Sequence, residues 1–142
     1  LGLREHREGV WLRPDNLPPD RLPAQRRVAD DQTDRFTARP ESDPAALSAA
    51  LFELDEWADR AAELMTSMRA IQRQLENDDR SVLVPGFEVA AAVLRHFVAD
   101  PLLPPAVLPE DWPAGALRET HAGYDVAYRQ VLKDFFSDHR ES

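Results

Sequence analysis

No cysteine occurs among the 142 residues. That absence excludes disulfides, thiolate metal centres and cysteine nucleophiles. It fits a reducing cytoplasm, the localisation expected here. Lysine is nearly missing: Lys133 stands alone, and the arginines are scattered among carboxylates. With a formal net charge of -9, the chain by itself lacks the clustered positive charge that displaces counterions from a nucleic acid. Five glycines are present, and none belongs to a Gly-x-Gly-x-x-Gly turn, a phosphate loop or a Gly-x-Ser-x-Gly elbow. No apolar run approaches the roughly 18 residues of a membrane span. The longest, Val89 to Val98, is interrupted by Arg95 and His96, so no membrane contact is expected. No basic-then-apolar leader opens the chain. The first residue is Leu1 rather than Met, and the chain is read as starting inside a longer protein.

What is present divides unevenly. Residues 1–40 carry eight arginines against seven carboxylates, whereas 41–142 carry nine basic against nineteen acidic residues. The shift suggests two units, 1–41 and 42–142. In the first, Gly9-Val10-Trp11-Leu12 reads as a short strand stopped by Pro14. Asp15-Asn16-Leu17-Pro18-Pro19 is turn chemistry. Gln25 to Ala29 and Arg35 to Ala38 each read as a further strand. So few short strands cannot bury a core alone. They either lean on the helical part or are half of a sheet whose remainder lies elsewhere, and the second reading is preferred.

The second unit reads as three or four helices. Ser42-Asp43-Pro44 is a start signal, a capping side chain followed by proline in the first turn. Leu47, Leu51, Leu54, Ala58, Ala61, Met65, Met68 and Leu75 then recur at three- and four-residue steps, an amphipathic stripe running to about Glu76. Asp55 offers a second start that would split it. Val84-Pro85-Gly86 opens another helix, with Phe87, Ala90, Val93, Leu94 and Phe97 as its expected buried face. Residues 101–113 hold five prolines, an extended strap close to polyproline II that should bury Leu103, Leu108 and Trp112. A last helix begins near Pro113 and carries Leu117, Tyr124, Tyr128, Val131, Leu132 and Phe135. From Ser137 onward a fraying tail is expected. The fold class is α+β, mostly α.

Three segments carry a resemblance. Asp100-Pro101, Leu103-Pro104 and Leu108-Pro109-Glu110-Asp111-Trp112-Pro113 resemble the C-terminal signature of the phenylacetic-acid-degradation repressors, the PaaX-like family. Gly9-Val10-Trp11-Leu12-Arg13-Pro14 is similar to a strand of that family's middle domain. Leu51-Phe52-Glu53-Leu54-Asp55-Glu56-Trp57 is similar to the opening of its C-terminal domain. Gly115 departs from the pattern, in which glycine often follows the Trp-Pro directly. The resemblance implies that 1–41 is part of a ferredoxin-like middle domain with its linker, and that 42–142 is a helical regulatory domain. It also implies a repressor of aromatic-acid catabolism that responds to an acyl-CoA and reads DNA through an N-terminal winged helix-turn-helix not contained in this chain.

Candidate sites are sparse. Trp112 and Asp111 either close the core or line a ligand pocket or dimer contact. His121 and Tyr124 lie one helical turn apart and share a face; a packing pair is the plainer reading. Arg13 belongs to a set with Arg4, Arg7, Arg26, Arg27, Arg35 and Arg39, which either ion-pairs with nearby carboxylates or receives phosphates bidentately. Trp57, Met65 and Met68 form an apolar stripe for the core or for a two-fold interface. His6, His96, His121 and His139 include no pair at zinc-site spacing, and Glu53, Asp55, Glu56 and Asp59 read as a solvated helix start. No metal, cofactor or catalytic set is expected, so the chain is not read as an enzyme. A homodimer is expected. The alternative to an effector domain is an oligomerisation or protein-interaction module without a small-molecule site.

Overall fold

The computed structural model describes residues 2–18 and 20–138. The expected loose tail at His139 lies outside them, while Ser137 and Asp138 are helical. The described chain is mostly helical, with five α-helices preceded by a small two-stranded antiparallel sheet. It forms two compact units: 1–54 with 101–110, and 55–100 with 111–142. The compositional limit at 41/42 falls inside the first unit.

In the first unit, β1 (Arg4–Arg7) pairs with β2 (Val10–Leu12), Glu5 opposite Trp11 and Arg4 opposite Leu12. Gly9 sits at φ 78° in the connecting turn, a conformation that glycine adopts without a Cβ clash. Its N–H donates to Glu5 Oε1 at 3.2 Å. The segment expected as a strand at Gln25 to Ala29 is instead helical, within α1 (Pro23–Gln32). Proline at the helix start and a run of Ala, Gln and Arg outweigh the isolated Val28. No strand forms at Arg35 to Ala38, where every residue is exposed and Arg35 pairs with Asp30 at 3.1 Å.

Asp43 caps α2 (Pro44–Phe52) by accepting the Ala45 N–H at 3.0 Å. This helix stops at Glu53, which takes the left-handed φ of 50°. The break therefore lies two residues before the Asp55 start that the sequence offers. Residues 101–110 belong with α2 and the hairpin. The strap is extended at Pro104 (φ -65°, ψ 146°) but closes into one 3-10 turn over Pro105–Val107. Leu103 is buried and Leu108 half-buried, and Asn16 Nδ2 donates to the Leu102 carbonyl at 2.7 Å.

The second unit holds the larger core. It is built from α3 (Leu54–Leu75), α4 (Leu83–Val98) and α5 (Ala114–Asp138). Along α3, Trp57, Ala61, Leu64, Met68 and Leu75 are buried at three-, four- and seven-residue steps. Of the expected stripe, Trp57 and Met68 are thus core, and Met65 is partly buried against it. On α5 the heptad Leu117, Tyr124, Val131 faces the same core. Asp79 caps the 3-10 turn Arg80–Val82, accepting from the Ser81 N–H at 3.0 Å and its hydroxyl at 2.6 Å. This turn feeds into α4 one residue before Val84 and sets its phase.

That phase corrects the expected buried face of α4. Gly86 and Val93 point inward, and Ala90 and Phe97 are partly buried. Phe87 and Leu94, each one residue on and so about 100° around the helix, are 66% and 54% exposed. With a core face and an exposed apolar face, Arg80–Val98 reaches a mean hydropathy of 1.4, long and apolar enough to cross a membrane by length and composition. Arg95 and His96 do not interrupt it as the sequence reading supposed.

Helices α4 and α5 meet at Gly86. Tyr124 donates its hydroxyl to the Gly86 carbonyl at 2.7 Å, and Tyr128 donates to the Leu83 carbonyl at 2.8 Å. A Cβ on Gly86 would lie 2.7 Å from the Tyr124 oxygen and 2.9 Å from Tyr128 Cε2. Gly86→Ala is therefore expected to cost about 1–3 kcal/mol through overpacking. Tyr124→Phe, which removes one hydrogen bond and adds no atoms, should cost about 0.5–1.5 kcal/mol. Urea midpoints measured at unchanged slope check both. Equal effects would show that the close approach is not the controlling feature.

Candidate functional site

Trp57, in the first turns of α3, stacks with two rings. His96 lies 4.3 Å away between centroids and Trp112 4.6 Å away, both at 23° between planes. His96 comes from the last turn of α4, and Trp112 immediately precedes α5, so the stack ties three elements of one unit. His96 Nε2 is 3.0 Å from the Trp57 carbonyl oxygen. A carbonyl only accepts, so this nitrogen carries the proton and donates. The Trp57 indole N–H is the buried side-chain polar atom without a partner among the described residues.

A shallow groove of about 380 Å³ opens elsewhere in the same unit, lined by Leu75, Glu76, Asp78, Arg80, Gln130 and Asp134 among others. Arg80 reaches Asp138 at 2.7 Å and Asp78 at 3.6 Å. The hydrogen bond to Asp138 raises its pKa first, and the Asp138 and Asp78 charges act in the same direction. With three carboxylates on its walls, the groove repels anions. Sequence reading passed over it, because its charged members sit on a linker and on exposed helix positions without a motif.

The opposite electrostatic character appears in the first unit. The Arg13 guanidinium is lowered in pKa by burial first, then by the Arg26 and Arg21 charges, against Asp15. Arg13 donates to the Pro14 carbonyl at 3.1 Å and to Asn16 Oδ1 at 3.0 Å. Arg26 donates to the carbonyls of Leu17, Pro18 and Arg21 at 3.2–3.3 Å. These oxygens are neutral acceptors that satisfy N–H donors of both guanidinium groups. Arg21 and Arg26 thus lie close enough to act on Arg13, with Asp15 opposing them.

The five residues selected from sequence are distributed as follows. Trp112 is half-buried in the Trp57 stack, and Asp111 beside it is exposed. His121 meets the Phe97 ring edge-on at 5.6 Å. Tyr124, one turn away, is fully buried against Tyr128 rather than at a surface. Arg13 belongs to the arginine turn of the other unit. None of them lines the acidic groove. Among the described residues, no group of three or more His, Asp and Glu side chains could hold a metal ion.

Residues 52–138 match the family described as PaaX-like protein C-terminal domain. The chain belongs to this PaaX-like family. Its match begins at Phe52, the end of α2, and closes at Asp138, the end of α5, so it takes in the whole Trp57 stack. Among solved structures, an uncharacterized protein from Mycobacterium tuberculosis is similar at a TM-score of 0.67 and 32% identity. The similarity covers 94% of this chain and 51% of that one, so the present chain spans about half the length of that protein. No match is found among curated proteins.

Two groups of the PaaX-like domain give opposite pH dependences. His96 is lowered below its ordinary 6.5 chiefly by burial, with Arg60 adding and the Trp57 carbonyl and Asp100 opposing. Folding thus favours the neutral ring. Its contribution to stability is present above pH 6.5 and is lost as pH falls below it. Tyr124 is pushed up from 10.0 to about 12 by burial first, then by Tyr128 and Asp125. Its contribution is present below pH 10 and is lost as pH rises toward 12. Thermal melts from pH 5 to 11 are expected to show both declines. His96→Gln should flatten the acid arm alone, and Tyr124→Phe should flatten the alkaline arm.

Proposed function

We propose that the chain is the regulatory C-terminal part of a PaaX-like transcriptional repressor and that it senses an aromatic acyl-CoA. The observation that carries the reading is the family match across 52–138. The matched part holds a three-helix core with an aromatic stack. In this reading the turn at Arg13, Arg21 and Arg26 receives the phosphates of the thioester. The acidic groove is set aside on charge. Residues 1–41 are the remainder of a middle domain, and operator binding belongs to a part of the protein outside this chain. A domain of net charge -9 is suited to regulation rather than to holding DNA itself.

An interaction module without a small-molecule site is the second reading. The exposed apolar residues Phe87, Leu94 and Val98 on α4 favour it. The two readings separate in a melting experiment. Phenylacetyl-CoA at a hundredfold excess over its Kd should stabilise the chain by about 2.7 kcal/mol. Phenylacetate alone should do little, because it lacks the phosphates. Arg21 contributes charge to the turn, while its hydrogen bond to Arg26 uses only its carbonyl. Arg21→Glu is therefore expected to remove most of the ligand-induced shift without lowering the melting temperature of the free chain. An unchanged melting temperature with every acyl-CoA would rule out effector sensing by this chain.

A further inference from the structure

Helix α4 carries a second apolar stripe outside the core. Val84, Phe87, Leu94 and Val98 are 71%, 66%, 54% and 88% exposed. With the half-buried Ala91 they are spaced three, four, three and four residues apart. This is the alternation of a coiled-coil seam, about 21 Å long at 1.5 Å per residue. On α5 the exposed large hydrophobics are Val126 and Phe136, ten residues apart and no continuous run, and α3 turns its stripe into the core. We propose that this seam pairs α4 with the α4 of a second copy of the chain, antiparallel, about a two-fold axis near Ala91 and Leu94.

The charges beside the seam select both the occupant and the direction. Glu88 and Arg95 flank it on one side, seven residues and about 10 Å apart, too far to meet each other within one helix. Both are exposed, and neither side chain makes a hydrogen bond or ion pair among the described residues. The other flank is apolar: Leu83, Ala90 and Phe97, all partly buried. A parallel pair would set Glu88 and Arg95 against that apolar flank and leave the charges unmatched. An antiparallel pair sets Glu88 of one copy beside Arg95 of the other, twice by symmetry. It also seats Phe87 against Val98 and Leu94 against Ala91, a large residue facing a smaller one in each layer. Self-complementarity of this kind is a property of a homotypic contact. An unrelated partner would need only one half of it. The dimer stands independently of acyl-CoA sensing and says which surface the expected homodimer uses.

One four-turn seam is smaller than the standard interface of about 1,600 Å², so association in the micromolar range is expected. Sedimentation equilibrium of the 142-residue chain should show a monomer–dimer equilibrium there. Leu94→Glu, at an exposed position, should abolish the dimer while leaving the circular dichroism spectrum and melting curve of the monomer unchanged. Glu88→Arg and Arg95→Glu should each weaken association at least tenfold, and the double variant should restore it. A chain that stays monomeric at every concentration overturns the proposal, whether or not phenylacetyl-CoA still raises the melting temperature. So does a dimer that Leu94→Glu leaves intact, or a double variant no tighter than the single ones.

Discussion

The missing side chain at Gly86 sets the spacing of α4 and α5, and most of the second unit follows from it. With no Cβ there, the Tyr124 hydroxyl reaches the Gly86 carbonyl at 2.7 Å. That carbonyl lies in the first turn of α4, where a tyrosine can cross the helix without displacing a neighbour. Tyr128 repeats the contact one turn along α5 at the Leu83 carbonyl. Two hydroxyls therefore fix both the rotation and the axial position of α4. An apolar contact resists separation but not sliding, whereas a hydrogen bond specifies one register. Once α4 is locked, Val93 is inward, and Phe87 and Leu94 are necessarily outward.

How much of this could be read from sequence depends on the kind of signal. The α3 stripe was legible because Ala61, Met68 and Leu75 keep a helical period through a segment without Gly or Pro. The α5 heptad of Leu117, Tyr124 and Val131 was legible for the same reason. On α4 the period alone was ambiguous. Val84, Phe87, Ala90, Val93, Leu94, Phe97 and Val98 supply two overlapping apolar faces, and hydrophobicity does not say which one meets the core. The deciding residue is a glycine, which scores as neither. In the first forty residues Gln25 to Ala29 read as a short strand. Pro23 in fact starts a helix, because its missing N–H costs nothing there.

The candidate site was less legible, since its parts come from distant positions. Trp57 and Trp112 are 55 residues apart in sequence, and His96 comes from a third element. Trp112 was singled out by the Leu-Pro-x-Asp-Trp-Pro pattern, but nothing local shows that its ring lies on Trp57. Trp57 itself reads only as a member of an apolar stripe. The same holds for Arg13. Composition reveals many arginines in 1–40, while the fold shows which of them lie together and that Arg26 donates to three backbone carbonyls. The Asp30 and Arg35 pair shows the other outcome, a neutralised arginine of no use to an anion.

Charge divides the labour among these surfaces. The groove beside Arg80 disfavours anions because Glu76, Asp78 and Asp134 line it against a single guanidinium among the described residues. Around Arg13 three guanidinium groups meet one carboxylate, Asp15, so an anion is disfavoured less there. The α4 seam has balanced charge, one carboxylate and one guanidinium, and so neither attracts nor repels a copy of itself at long range. Its selectivity must come at close range, where only one of the two helix directions matches both charges. A seam of this size, weak alone, gains strength when two copies are also held side by side on paired half-sites, since the second contact then forms at a high effective concentration. Under the proposed function, weak self-association through the proposed seam is what a regulator that assembles on its operator would need, whereas a tight obligate dimer would not require the operator to bring the copies together.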